Sequence, residues 1–203
     1  MQTTLTLDME GVLTPEIWIA VAEKTGIKKL ELTTRDIPDY DVLMRGRLEI
    51  LKENGLTLHD IQAVIGTLDP LPGAVEFIAE VRSLVQVIIL SDTFEQFAQP
   101  LIKKLGWPTI FCHRLEVAKD GRITNYLLRQ PNQKQKAVAA LKELNYHVIA
   151  AGDSFNDTTM LGEAHKGILF RAPDSIKKQF PHFETMEEYS ELLKVVRGAL
   201  VTH

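Results

Sequence analysis

At 203 residues, 45% hydrophobic and 25% charged, the chain has enough apolar mass for one globular domain, or for a core domain carrying a modest insert. A formal net charge of −4 leaves no electrostatic footprint for nucleic acid or membrane, and a single cysteine excludes an intrachain disulfide framework. The six histidines form no zinc-type spacing with Cys112, which reads as a buried strand thiol, and no apolar run approaches membrane-spanning length; a soluble cytoplasmic protein is expected.

The first element is Leu5-Thr6-Leu7, a short apolar run leading into Asp8-Met9-Glu10-Gly11-Val12-Leu13, the pattern of a buried strand opening into a loop. Thr14-Pro15 then predicts a helix, with threonine as cap and proline in the first turn, ending near Gly26. Residues 30–70 read as further helices without a convincing buried strand. Pro70-Leu71-Pro72-Gly73 punctuates the chain and marks a domain boundary. Beyond it strand and helix alternate. A helix through Ala74, Phe77, Ile78 and Val81 precedes the β-branched strand Val85–Leu90, and a helix through Phe94 to Leu105 follows. Thr109 to Cys112 is a strand, and Leu115 to Leu128 a hairpin turning at Asp120-Gly121. A helix from about Lys134 to Leu144 leads into strand Val148–Ala151, Gly167–Phe170 is a final short strand, and Thr185 with Glu188 forms a capping box for the last helix. Repeated strand–helix units imply a doubly wound, mainly parallel α/β sheet. Residues 1–13 and 71–203 would form its core, with residues 14–70 a small helical cap inserted after the first strand.

Three predicted strands end in polar residues: Asp8 and Glu10, Ser91-Asp92-Thr93, and Gly152-Asp153-Ser154-Phe155-Asn156-Asp157. In a parallel sheet these ends share one edge, where such folds place their ligands. Close carboxylates repel unless a cation sits between them. The group therefore offers acids for a divalent cation and a hydroxyl with backbone amides for phosphate oxygens. Lys134 or Lys136 would add positive charge, with Lys134 fitting the helix start better.

These four segments resemble, in order, the motifs of the haloacid dehalogenase superfamily of phosphohydrolases. Within it the chain is similar to the phosphoserine phosphatases, through the spacing from Tyr40 to Arg47 and the run Arg47-Leu48-Glu49-Ile50-Leu51. Glu10 in place of an aspartate, and Leu90-Ser91-Asp92-Thr93 in place of a serine-glycine pair, resemble the branch that combines phosphoserine phosphatase with phosphoserine:homoserine phosphotransferase activity. The resemblance implies a Rossmann-like core and an aspartyl-phosphate on Asp8, with Mg²⁺ held by Asp8, Asp153 and the Glu10 carbonyl. Asp157 would support the metal's water shell. The Glu10 side chain would act as acid and base, while Ser91, the Asp92 amide and Lys134 hold the phosphoryl group and Asn156 contacts substrate. It also implies phosphoserine as substrate, homoserine as an acceptor, and allows a homodimer.

One feature of the cap stands apart from the resemblance. On a helix from Tyr40 to Leu51, Arg47 falls in the middle of the apolar face made by Tyr40, Leu43, Met44, Leu48 and Leu51. A guanidinium there needs an anion, and its fork suits a carboxylate. A cap acid, Asp39 or Asp41, would serve as well as a substrate. In the resembled family Arg47 grips the substrate carboxylate and Glu16 its ammonium, although an acid in a helix's first turn is also favoured by the dipole alone. The alternative function is a phosphatase for another small phosphorylated metabolite. A receiver-like signalling module conflicts with Asp8 lying on the first strand and a large insert following it. A Rossmann oxidoreductase lacks its Gly-x-Gly-x-x-Gly turn.

Overall fold

A computed structural model describes residues 1–33, 36–37 and 39–201. β1 (Gln2–Leu7) is the centre of a seven-stranded sheet. On one side lie β2 (Gln86–Phe94), β3 (Thr109–Val117) and β4 (Ile123–Leu127); on the other lie β5 (Tyr146–Gly152), β6 (Lys166–Phe170) and β7 (Glu184–Met186). Among the described residues only β3–β4 is antiparallel. β3 is one strand where the sequence suggested two pieces: its first half pairs with β2 and its second half with β4. The chain winds outward from β1 in both directions, so the crevice beyond β1 and β5 is the topological switch point of the fold.

The strands read as continuous apolar runs because both faces are covered. Leu5, Leu7, Val87, Ile89, Ile149 and Phe170 face one cluster, and Leu90, Val148, Ala150 and Leu169 the other. The larger cluster takes side chains from α1 (Ile17–Thr25), α2 (Tyr40–Glu53), α3 (Leu58–Gly66), α4 (Ala74–Leu84), α5 (Glu95–Lys104) and α9 (Tyr189–Val201). The smaller takes α6 (Gln133–Glu143), α7 (Thr158–Glu163) and α8 (Asp174–Gln179). In the central strand Thr4 and Thr6 are buried, yet their hydroxyls donate to the carbonyls of Gln86 and Ile149. Among the described residues no helix is long and apolar enough to cross a membrane.

Two helix starts differ from the sequence pattern. α1 begins at Ile17, because Thr14 is spent on the loop before it: its N–H and hydroxyl both donate to the Met9 carbonyl, and its carbonyl accepts from Gly11. α9 is not capped by Thr185, which lies in β7. The Glu191 carboxylate instead accepts from the N–H groups of Glu187 and Glu188.

The two crossings between the sheet and helices α1–α3 are tied together. Leu71 N–H donates to the Leu13 carbonyl, and the Tyr189 hydroxyl, 177 residues on, donates to the Val12 carbonyl at 2.7 Å. Tyr189 is itself stacked between Phe77 and Phe170. Replacing it by phenylalanine keeps the stack but strands a buried carbonyl, so Tyr189→Phe should cost about 1–2 kcal/mol in denaturant unfolding with an unchanged m-value.

Candidate active site

The polar ends of β1, β2 and β5 converge as their order in the sheet requires. Asp8 directly follows β1, and its N–H still pairs with the Ala151 carbonyl of β5. Its carboxylate is turned by the Met9 N–H, 2.7 Å from Oδ1. Gly11 has φ +76° and packs so closely that a Cβ there would lie 2.4 Å from Asp153 Oδ2. Gly152 is equally constrained, because a Cβ would fall 2.4 Å from Asp157 Cγ. Both glycines are therefore needed to pack backbone against carboxylate. Ser91 and Asp92 protrude through a bulge: between the pairs Leu90–Phe111 and Phe94–His113, β2 spends two more residues than β3.

Lys134, in the first turn of α6, lies among these acids. Its Nζ is 2.8 Å from Asp157 Oδ1, 3.0 Å from Asp8 Oδ1 and 3.5 Å from Asp92 Oδ2. Lys136 is exposed two residues on, so Lys134 is the lysine that enters the site. Burial works against the Lys134 charge, but Asp157, Asp8 and Asp92 hold its pKa well above the ordinary value. One lysine does not balance the acids around it. Asp8 is pushed well above the usual carboxylate range by burial and by Asp157, and Asp153 up to about 7 by burial, Asp157 and Glu16. Carboxylate oxygens of Asp8, Asp153 and Asp157 all lie within 4.8 Å of one another. This set fits a hard divalent cation, which removes the repulsion that raises those pKa values. Asp157 has the least capacity left for direct ligation. Its Oδ1 accepts from Lys134 and its Oδ2 from both the N–H and the hydroxyl of Ser154.

Glu10 leaves this cluster for the helices above. Its Oε2 accepts from the Ile17 N–H at 2.8 Å, capping α1 in place of the expected Thr14. Burial, then the neighbouring Glu16 carboxyl, raise Glu10 to about 8. A cavity of about 360 Å³ joins the two levels, lined below by Asp8, Ser91, Asp92, Lys134, Asp153 and Asn156 and above by Glu16, Trp18, Tyr40 and Arg47.

Arg47 is buried on α2 and stacks on Trp18 with 4.5 Å from guanidinium carbon to ring centroid. Its Nη2 donates to the Leu32 carbonyl, while its Nε has no hydrogen-bond partner among the described residues. Burial lowers its pKa to about 10. Neither cap acid answers it. Asp39 caps α2 through the N–H groups of Asp41 and Val42, and Asp41 accepts from the Tyr126 hydroxyl and faces Arg45.

The sequence reading overlooked Gln133 and His113, which are buried behind Asp92. Gln133 sits four residues before buried Ala137, on the inward face of α6. A polar residue at such a position, next to a candidate phosphate lysine, was the available signal.

A family profile described as haloacid dehalogenase-like hydrolase matches residues 3–165. A phosphoserine phosphatase of Pseudomonas syringae pv. tomato is 61% identical over 188 residues, which cover 93% of this chain and 79% of the relative. Phosphoserine phosphatase ThrH of Pseudomonas aeruginosa is 60% identical over 186 residues, covering 92% and 91%. Among solved structures, a phospho-aspartyl intermediate analogue of phosphoserine phosphatase superposes with a TM-score of 0.78 at 23% identity, over 96% of this chain and 98% of that one, a likeness of fold.

The acid cluster sets the sign of the pH response. An acid whose pKa rises on folding holds its proton in the fold while the unfolded chain has lost it, so stability falls as pH rises through that window. For Asp153 the window runs from its ordinary 3.8 to about 7, and Asp8 adds in the same direction. In chelator, the melting temperature should therefore decline as pH rises from about 4 toward 7, and Asp153→Asn should make that decline shallower. A divalent salt should raise it increasingly toward neutral pH, as protons cease to compete for the carboxylates.

Proposed function

Because this chain belongs to the haloacid dehalogenase-like hydrolases, and within them to the phosphoserine phosphatases, we propose that it hydrolyses L-phosphoserine through a phosphoryl group carried on Asp8 and also passes that group to homoserine. Residues 1–13 and 71–203 act as the catalytic core and residues 14–70 as the cap that reads the amino-acid part of the substrate. The observation that carries the substrate is Arg47. A buried guanidinium with an unpartnered Nε, facing the cavity and out of ion-pair reach of any carboxylate among the described residues, is a site built for an incoming carboxylate. Glu16 lines the same cavity and supplies the negative charge for an ammonium.

Asp8 and Asp153 with the Glu10 carbonyl would hold Mg²⁺, which supplies screening of charge between carboxylate and phosphate. Asp8 attacks phosphorus and the serine oxygen leaves, taking a proton from Glu10. The raised pKa of Glu10 supports this, since it keeps a proton available near neutrality. In the second half Glu10 takes a proton from water, or from the homoserine hydroxyl, as that oxygen attacks phosphorus and releases Asp8. Ser91, the Asp92 N–H and Lys134 hold the phosphoryl oxygens throughout, and Asn156 meets the substrate from the β5 loop. Transfer to homoserine rests on Glu10 and Leu90-Ser91-Asp92-Thr93, where the chain resembles the bifunctional branch, together with its 60% identity to the Pseudomonas aeruginosa relative.

Incubation with Mg²⁺ and phosphoserine should release phosphate, and added homoserine should divert part of it into phosphohomoserine. Asp8→Asn should abolish both products. Absence of turnover, with other phosphorylated metabolites accepted, would assign the protein to a different substrate in the same family. Arg47→Ala should raise KM for phosphoserine about tenfold to a hundredfold, while hydrolysis of phosphoethanolamine, which lacks the carboxylate, stays unchanged.

A further inference from the structure

Behind the bulge of β2 lies a buried polar network that the reaction above does not use. Gln133 is only 3% exposed, and its Nε2 donates to the Ser91 carbonyl at 2.6 Å and to Asp92 Oδ1 at 3.1 Å. Its Oε1 accepts from Arg129 Nε at 3.1 Å, which fixes the amide's orientation, since that edge must be the carbonyl. His113 completes the group: its Nδ1 accepts from the Arg129 N–H, which leaves Nε2 as the protonated nitrogen, 3.6 Å from Asp92 Oδ1. Asp92 Oδ1 thus accepts from Gln133 and lies 3.6 Å from His113 Nε2, which is also 3.4 Å from Gln133 Nε2, while Oδ2 faces Lys134.

Two consequences follow from elementary geometry and charge. The Ser91 carbonyl and the Asp92 N–H belong to one planar trans peptide and point in opposite directions. Fastening the carbonyl to Gln133 therefore fixes the line along which the Asp92 N–H points. The second consequence concerns charge. Asp92 lines the cavity and is about one-third exposed, so its carboxylate sits beside the place where a phosphate dianion must bind. An anion there is tolerable only if it is held against cations and donors and kept from turning toward the phosphate.

We infer that Gln133 is a positioning residue of the phosphoryl site, which aims the Asp92 N–H through the Ser91 carbonyl and, with His113, restrains the Asp92 carboxylate beside Lys134 and away from the bound phosphate. Lys134 is the next residue, so the start of α6 delivers the positive charge and the restraint on the negative one together. The inference rests on the phosphoryl site proposed above but not on which ester is the substrate. Inorganic phosphate, the product common to all phosphomonoesters, is therefore the probe.

The test is a double-mutant cycle on the full chain in Mg²⁺, reading the inhibition constant of inorganic phosphate against a chromogenic aryl phosphate. Gln133→Leu should weaken phosphate about tenfold or more. In the Asp92→Asn background, where no charge needs restraint, the same substitution should cost at least several-fold less. Equal penalties in both backgrounds would overturn the restraint on the Asp92 charge and leave only the aiming of its N–H, while no penalty in the native background would overturn the whole inference. Should Gln133→Leu lose its cooperative melt, Gln133→Glu serves instead. It keeps the volume but opposes acid to acid, and Asp92→Asn should then recover phosphate binding by reversing the hydrogen bond. Failure of phosphoserine turnover with aryl phosphate still hydrolysed would count against the proposed substrate alone.

Discussion

The site depends on an imbalance of charge: four aspartates, at 8, 92, 153 and 157, gather around one buried ammonium, that of Lys134. Burial makes each carboxylate costly, and Lys134 reaches three of them without approaching neutrality for the set. The surplus is expressed as raised pKa values on Asp8 and Asp153, while Asp92, close to Lys134, Gln133 and His113 and about one-third exposed, stays ionised. A protein pays for such an arrangement with stability, and the surplus is what a divalent cation relieves. Both close glycines serve the same end, because a side chain at Gly11 or Gly152 would force the acids apart.

The helices above the sheet hold a buried cation of their own. Arg47 is buried without a carboxylate partner among the described residues, supported by the Trp18 ring and the Leu32 carbonyl. Under the proposed function, an acid cluster suited to a divalent cation below and Arg47 above would together suit a ligand with both a phosphate and a carboxylate. The fold, shared with structures near 23% identity, does not by itself select this ligand. The proposal for this ligand rests instead on these particular side chains.

Much of this was readable in the chain because the site is built from short local segments at strand ends. Asp8 to Val12 and Gly152 to Asp157 each carry their chemistry within six residues, and Arg47 announces itself by interrupting an apolar helical face. What escaped was tertiary. Thr14-Pro15 has the local form of a helix start, but the Thr14 groups close the loop after β1, and a carboxylate from that loop caps α1 instead. Thr185 and Glu188 have capping-box spacing, yet Thr185 pairs in the three-residue β7, too short to show any alternation. Gln133 and His113 gain their role only where the bulge of β2, the body of β3 and the start of α6 meet, and no spacing in one segment encodes that meeting.

The capping of α1 by Glu10 joins the two halves of the site mechanically. Glu10 is the proposed proton carrier, and it holds the N–H of Ile17, the residue after Glu16, in the helix that also bears Trp18 under Arg47. The residue proposed to bind an ammonium and the residue proposed to carry the proton are therefore placed by one helix end. If homoserine is the acceptor as proposed, its binding through Glu16 and the proton transfer through Glu10 would be coupled by a single backbone hydrogen bond, with no need for any greater reactivity of the alcohol.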